Sequence, residues 1–363
     1  MMKTNWRNIG WFVGLTYALS WTLNLVIWLG GAYEGSLTAG LLQLQMLIPA
    51  LVAIVLQRYI FRDSSIHVSH YQERPRQVLN LFLGYAGAQV LVVVLAILLP
   101  DLTPVFAVVG TLLGLISVIA LFVIRARSNS AAFARAGLTL GRARDWALFS
   151  LLFVLYYVSQ TALTAAFGLG TPVNVSEMAA ELGMSSGAFM ISGLIQSIVV
   201  SPLLIALFIA FGEEYGWRGY LQGELVRSGK VRGVALTGLI WGVWHLPAIL
   251  LGHNYPGRPL LGSALMVVYT LLMAFVLGYV MLKTRAIWLV ALLHAINNHT
   301  YQALTTLVYS PNDAVFAFGG AGLYSIAILA VIVALLLRDP LWREDAEHLE
   351  LSDNLTELPT VMG

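Results

Sequence analysis

The sequence predicts an all-α membrane protein, a polytopic bundle of about ten transmembrane helices, on three observations. Hydrophobic residues make up 59% of the chain and charged residues only 10%, whereas a soluble domain carries about 25% charged residues. The apolar residues form blocks of about 18 to 25, the length that a helix needs to cross a hydrocarbon core of about 30 Å. Strand signals are weak, and only helices or closed barrels satisfy the backbone hydrogen bonds in lipid.

The basic residues between these apolar blocks predict the topology. All but Arg258 of the 20 Lys and Arg residues lie on one predicted side of the membrane or close to it. By the positive-inside rule, this alternation predicts that both termini are cytoplasmic. The apolar blocks lie near 8–31, 36–57, 79–100, 103–124, 146–168, 188–212, 233–251, 260–282, 286–306 and 315–337.

The chain divides into four predicted regions. Residues 1–185 form N-terminal transmembrane helices to which the sequence assigns no role, and residues 186–310 form the core with the unusual polar residues. Residues 311–338 carry the last helix, and the acidic tail at 339–363 has the composition of a disordered segment. The absence of cysteine excludes disulfides, thiol nucleophiles and cysteine-ligated metals.

Glu213 and Glu214 follow an apolar run, where a charged side chain is costly and usually marks function. As one helix, residues 187–227 would be about 61 Å long, twice the core thickness, and Pro202 offers a break. If the span runs from 203 to 226, Glu213 lies about 21 Å from Arg227. The stretch 187–201 is then expected to be an outer, partly embedded or re-entrant helix.

The histidines of two later helices reach a similar depth. His245 lies about 20 Å along its helix from Arg232, whereas His294 and Asn298 lie about 14 and 20 Å from Arg285. Three helices therefore bring polar residues to one level. Because residues four apart lie on the same side of a helix, His294 and Asn298 are expected to face the same way.

The same interval predicts a pair between Glu214 and Arg218, which leaves Glu213 pointing elsewhere. A carboxylate and a histidine in such a site can activate water, while a second histidine and an asparagine can donate hydrogen bonds to an oxyanion. Alternatively, a divalent metal such as zinc, with Glu213, His245 and His294 as candidate ligands, would activate the same water. No HExxH motif and no aspartate within an apolar block is present.

Together these residues resemble the CAAX-protease and bacteriocin-processing family of membrane peptidases, over roughly residues 190–305. The usual phenylalanine of the second motif is replaced by tryptophan in this chain. The motifs are EExxxR at Glu213, Glu214 and Arg218, an aromatic residue with xxxH at Trp241 and His245, and HxxxN at His294 and Asn298.

The resemblance implies an intramembrane endopeptidase in which Glu213 and His245 activate water and His294 and Asn298 stabilise the oxyanion. Glu214 and Arg218 would support the site, and both the zinc-dependent and the metal-free glutamate mechanism stay open. The expected partners are a peptide or protein substrate, with or without a lipid group, and the lipid bilayer, but no nucleic acid. The expected location is a prokaryotic plasma membrane.

Two other functions fit the composition. A non-catalytic membrane immunity or scaffold protein could retain the same residues. A proton-coupled transporter could relay protons through Glu213 and the histidines, but it would predict repeated halves or matching broken helices, and neither is evident.

Overall fold

The computed structural model describes residues 4–30, 36–61, 73–127, 130–312 and 321–343, and helices make up most of them. The first six helices are α1 (Trp6–Leu29), α2 (Ser36–Val55), α3 (Glu73–Leu98), α4 (Thr103–Ala126), α5 (Ser130–Arg135) and α6 (Ala143–Ala166). The next four are α7 (Ser176–Glu181), α8 (Ser186–Ile195), α9 (Leu207–Glu214) and α10 (Gln222–Leu225). The last four are α11 (Lys230–Leu250), α12 (Pro259–Thr284), α13 (Ile287–Leu307) and α14 (Leu323–Leu336).

Within the described residues, 8 helical segments are long and apolar enough to cross a membrane. The predicted all-α, polytopic membrane fold is therefore confirmed. The segments are Trp6–Leu29, Thr38–Ile60, Glu73–Leu98, Pro100–Ala126, Ala143–Ala166, Ser186–Ile205, Lys230–Leu250 and Pro259–Thr284.

The two remaining predicted spans differ from these eight. Helix α13 has 21 residues but carries His294 and neighbouring polar side chains, and most of its surface is covered by other helices. Helix α14 has 14 residues, which at 1.5 Å each is about 21 Å. Part of the predicted block 315–337 and the tail from residue 344 lie outside the described residues. The cytoplasmic position of the termini stays a prediction.

The stretch 187–201, for which the sequence predicts an outer, partly embedded or re-entrant helix, lies within a longer helical segment. Helix α8 continues as π-helix through Gln196–Ile205, so Ser186–Ile205 is itself long enough to cross a membrane. Pro202 lies inside this π-helical stretch, where its missing N–H interrupts the regular α-helical ladder. The chain bends at Ala206 and then resumes as α9, a π-helical stretch at Tyr215–Leu221, and α10.

Helix α2 packs directly against the segment that carries the glutamates. A Cβ atom on Gly212 would lie 2.6 Å from the carbonyl oxygen of Met46, and one on Gly216 would lie 2.6 Å from the carbonyl carbon of Pro49. Small residues at this spacing allow two helix backbones to approach closely in a membrane. The two glycines therefore set the distance between α2 and the glutamates.

Helix α1 packs on α11 through hydrogen bonds rather than small residues. The hydroxyl of Tyr17 donates to the carbonyl of Ile240 at 2.5 Å, and the indole of Trp21 donates to the carbonyl of Trp244 at 3.2 Å. In return, the indole of Trp244 donates to the hydroxyl of Ser20 at 2.7 Å. These contacts join α1 to the part of α11 that carries His245.

Two smaller features join distant parts of the chain. Strands β1 (Gly170–Pro172) and β2 (Tyr309–Pro311) pair antiparallel and connect the ends of α6 and α13. Beyond α14, Asp339 accepts a hydrogen bond from Lys283 of α12 at 2.8 Å, and Trp342 packs on Phe275. Both features are short and leave the helical architecture unchanged.

Candidate active site

The centre of the candidate site is a buried group of charged side chains. Glu213 is 2% exposed, Glu214 0% and Arg218 1%, although each side chain carries a full charge when ionised. Nη1 of Arg218 donates to Oε1 of Glu214 at 3.0 Å, so the pair predicted from their spacing forms. Because a buried charge needs a partner, this pair makes the double-glutamate sequence compatible with the helix bundle.

His294 joins both glutamates to α13. Its Nδ1 donates to Oε1 of Glu214 at 2.5 Å, since an ionised carboxylate can only accept. Its Nε2 lies 3.9 Å from Oε1 of Glu213, which is longer than a hydrogen bond. A water molecule or a substrate oxygen can bridge polar atoms at such a separation. The stacked rings of Phe211 and Trp288, with centroids 4.2 Å apart, join α9 to α13.

Trp241 contacts Glu213, Arg218 and His294. Its indole Nε1 donates to Oε2 of Glu213 at 2.7 Å, and Cζ of Arg218 lies 4.0 Å from the ring centroid. Its ring also makes an edge contact with His294 at 5.7 Å. From the sequence, Trp241 is expected only to be an aromatic residue in place of phenylalanine. The indole N–H, which phenylalanine lacks, is the signal that could have identified this contact.

His245 lies on the same helix, one turn beyond Trp241. Its Nδ1 is 2.8 Å from the carbonyl oxygen of Trp241, and since a carbonyl only accepts, Nδ1 carries the proton. Nε2 of the neutral ring is therefore the atom that can accept a proton or a hydrogen bond. The ring packs between those of Trp241 and Trp244, at 5.6 and 4.8 Å, and is half-buried.

Asn298 is more exposed than its spacing from His294 suggested. His294 is 4% exposed, whereas Asn298 is exposed, so the two side chains do not share one environment. The reason is that residues four apart differ by about 40° around a helix, which is enough to cross from a buried to an exposed face. Oδ1 of Asn298 accepts from Nδ2 of Asn297 at 3.0 Å.

Asn297 is a residue to which sequence analysis assigned no role. Its Oδ1 accepts hydrogen bonds from two phenols, that of Tyr269 at 2.6 Å and that of Tyr157. Tyr269 lies on α12 and Tyr157 on α6, more than a hundred residues away. No local spacing rule connects these side chains, so the contact is visible only in the structure.

Several buried polar atoms of the group have no hydrogen-bond partner among the described residues. They are Oε2 of Glu214 and Nε and Nη2 of Arg218. Buried polar atoms without a protein partner are commonly satisfied by ordered water. The site therefore combines charged groups with positions suited to water.

Zinc ligation requires three protein atoms that converge on one point at about 2.0 to 2.3 Å. Among the described residues, no three His, Asp or Glu side chains are grouped closely enough to hold a metal ion. Oε1 of Glu213 and Nε2 of His294 are near each other, but His245 does not complete a set with them. The donor arrangement of this structure therefore does not form a three-ligand site, and zinc binding stays a prediction.

No curated protein matches the chain. A family model described as "Type II CAAX prenyl endopeptidase Rce1-like" matches residues 195–300. This segment contains all three motifs and all the candidate site residues, from Glu213 to Asn298. Over this segment, the chain is similar to the CAAX prenyl endopeptidase family, a family of membrane-embedded proteases.

Proposed function

We propose that this protein hydrolyses a peptide bond within the membrane by means of water activated by Glu213 and His245. The orientation of Glu213 supports the proposal. Its Oε2 is held by the indole of Trp241 at 2.7 Å, while its Oε1 faces the gap in front of His294. One oxygen thus fixes the carboxylate and the other remains able to take a proton from water.

In the proposed first step, a water molecule bound at Oε1 of Glu213 attacks the carbonyl carbon of the substrate, and Glu213 accepts the proton. His245 assists through Nε2, the nitrogen left free by the bond from Nδ1 to the carbonyl of Trp241. The product is a tetrahedral intermediate with a negatively charged oxygen. Glu213 then returns the proton to the leaving amine as the C–N bond breaks, so the carboxylate is regenerated.

The oxyanion of that intermediate would accept hydrogen bonds from Nε2 of His294 and from the amide of Asn298. Because Nδ1 of His294 already donates to Glu214, donation from Nε2 uses the imidazolium form of the ring. Arg218 balances the charge of Glu214 at 3.0 Å. Such prearranged donors stabilise the transition state without reorganisation.

The family match supports a substrate of the CAAX type, a peptide or protein end that is presented at the membrane. We extend the proposal to lipidated substrates, since the site lies among apolar helices that a lipid group can approach from the bilayer. We also propose that bacteriocin-type leader peptides are substrates. The proposed location is a prokaryotic plasma membrane. The mechanism is proposed to be independent of metal.

Cleavage assays with the purified full chain in lipid nanodiscs test the proposal. The panel contains a farnesylated CAAX peptide, the same peptide without the lipid, and a bacteriocin-type leader peptide. Wild type is expected to cleave at least one of them, and Glu213→Gln and His245→Ala are each expected to lower kcat about 10²- to 10⁴-fold. Unchanged turnover in both variants would reject the mechanism.

The same preparation tests the choice between the metal-free and zinc mechanisms. Metal content is measured by mass spectrometry before and after treatment with a chelator, together with the rate of cleavage. Full activity in metal-depleted protein is expected. Loss of activity that zinc restores would instead support the zinc alternative.

A further inference from the structure

A hydrogen-bonded chain of four side chains leads from α6 to the exposed amide of Asn298. Tyr157 is fully buried and Tyr269 is 5% exposed, and both phenols donate to Oδ1 of Asn297. Nδ2 of Asn297 then donates to Oδ1 of Asn298 at 3.0 Å. Three helices, α6, α12 and α13, meet at this chain.

The direction of these side-chain hydrogen bonds determines which end of the Asn298 amide remains free. An asparagine amide has one acceptor oxygen and one amino group with two hydrogens. The two phenols occupy the oxygen of Asn297, so its amino group turns toward Asn298. The oxygen of Asn298 is in turn occupied, so its Nδ2 is the end of the amide that takes no part in these hydrogen bonds.

We propose that Tyr157 and Tyr269 act through Asn297 as positioning residues that aim the Nδ2 donors of Asn298 at the oxyanion. This inference rests on the proposed function. An exposed amide alone would sample a broad range of side-chain torsions. Prior orientation matters for catalysis because an oxyanion donor is effective only when it already points at the developing charge.

The inference gives a role to a helix outside the family match. Helix α6 spans Ala143–Ala166, whereas the match begins at residue 195. The neighbouring Tyr156 offers a control at another position on α6. Its hydroxyl donates to the carbonyl of Ser325 at 3.3 Å, on a different helix and away from Asn297. Tyr156→Phe is therefore a matched control that removes a buried phenol from the same helix.

A double-mutant cycle in the full chain in nanodiscs tests the inference with the best-cleaved peptide of the panel. Tyr157→Phe/Tyr269→Phe is expected to lower kcat about tenfold with KM within about twofold. This is less than the loss of about 10²- to 10³-fold expected when the donor itself is removed in Asn298→Ala. Added to Asn298→Ala, the two tyrosine changes are expected to cost nothing more, and Tyr156→Phe is expected to retain wild-type kcat.

Two results would overturn the inference: wild-type kcat in Tyr157→Phe/Tyr269→Phe, or losses that multiply in the Asn298→Ala background. If the double variant does not fold, the single tyrosine variants replace it in the cycle, because each leaves one phenol on Asn297. Failure of the proposed function is separable. Wild-type turnover by Glu213→Gln rejects the peptidase mechanism, whereas an inactive Glu213→Gln beside a fully active Asn298→Ala rejects only the role of Asn298.

Discussion

The N-terminal helices and the core at 186–310 bury polar side chains of different kinds. In the described part of the chain, the buried charged residues all lie in the core, at Glu213, Glu214, Arg218, Glu224 and Lys230. The N-terminal helices bury neutral groups instead, such as the pair between Asn24 and Gln45 at 3.0 Å. Neutral hydrogen bonds hold membrane helices together at modest cost, whereas buried charges are expensive and indicate function.

The two regions nevertheless meet at the site. Helix α2 lies against Gly212 and Gly216 on either side of the glutamates, and α1 binds the backbone of α11 next to His245. Among the described residues, the two regions therefore differ in the polar side chains that they bury, which include charged groups in the core and are neutral in the N-terminal helices. The core carries the residues of the proposed active site, and the N-terminal helices pack against the segments that carry them.

The largest effect on stability is expected from breaking the charged pair in the core. Arg218→Met leaves Glu214 buried without its cationic partner, which should lower the free energy of unfolding by about 3 to 5 kcal/mol. Gln45→Leu, which removes a neutral hydrogen bond with Asn24, should cost only about 0.6 kcal/mol. Denaturant unfolding in detergent micelles measures both, and equal losses would remove the distinction between the two regions.

An intermediate effect is expected at the contact between the regions. A Cβ atom at Gly216 would overlap the backbone of Pro49, so Gly216→Ala should destabilise the fold by about 1 to 3 kcal/mol. Because Glu213 lies on the displaced segment, kcat should fall as well. Gly87→Ala is the matched control, since a Cβ atom there meets nothing within 4 Å. A Gly216→Ala variant as stable and active as Gly87→Ala would contradict the packing account.

The smallest effect is expected at the end of α12, where Asp339 pairs with Lys283. The hydrogen bond from Lys283 lowers the pKa of Asp339 to about 2, below the value of about 3.9 in an unfolded chain. The contribution of this pair to stability is therefore present above pH of about 4 and is lost as the pH falls through about 2. The difference in Tm between wild type and Asp339→Asn should shrink over that range. A constant difference from pH 7 to 2 would show that the carboxylate charge is not responsible.

The sequence was sufficient for the parts of the site that depend on helix geometry. Helix lengths predict similar depths for Glu213 and His294, and the interval of four residues predicts the pair between Glu214 and Arg218, which forms at 3.0 Å. The bundle of apolar helices followed from the length of the hydrocarbon core. These features repeat along one helix or scale with its length, so they are readable from residue order.

The remaining contacts join helices that are distant in sequence. Glu213 and Trp241 are 28 residues apart, and Tyr157 and Asn297 are 140 residues apart. Such contacts depend on how the helices pack, which no single periodicity encodes. The exposure of Asn298 was missed for a related reason, because the neighbours of α13 decide which part of its polar face is covered.

The kcat of Glu213→Gln, compared with that of Glu224→Gln, is the most direct test of the proposed role of Glu213 in activating water. Glu224 is also a fully buried carboxylate of the core, but it forms an ion pair with Arg227, at 3.2 Å. With the best-cleaved peptide, Glu213→Gln is expected to lose about 10²- to 10⁴-fold in kcat, whereas Glu224→Gln keeps wild-type kcat. Equal kcat in the two variants would contradict the assignment of Glu213 as the residue that activates water.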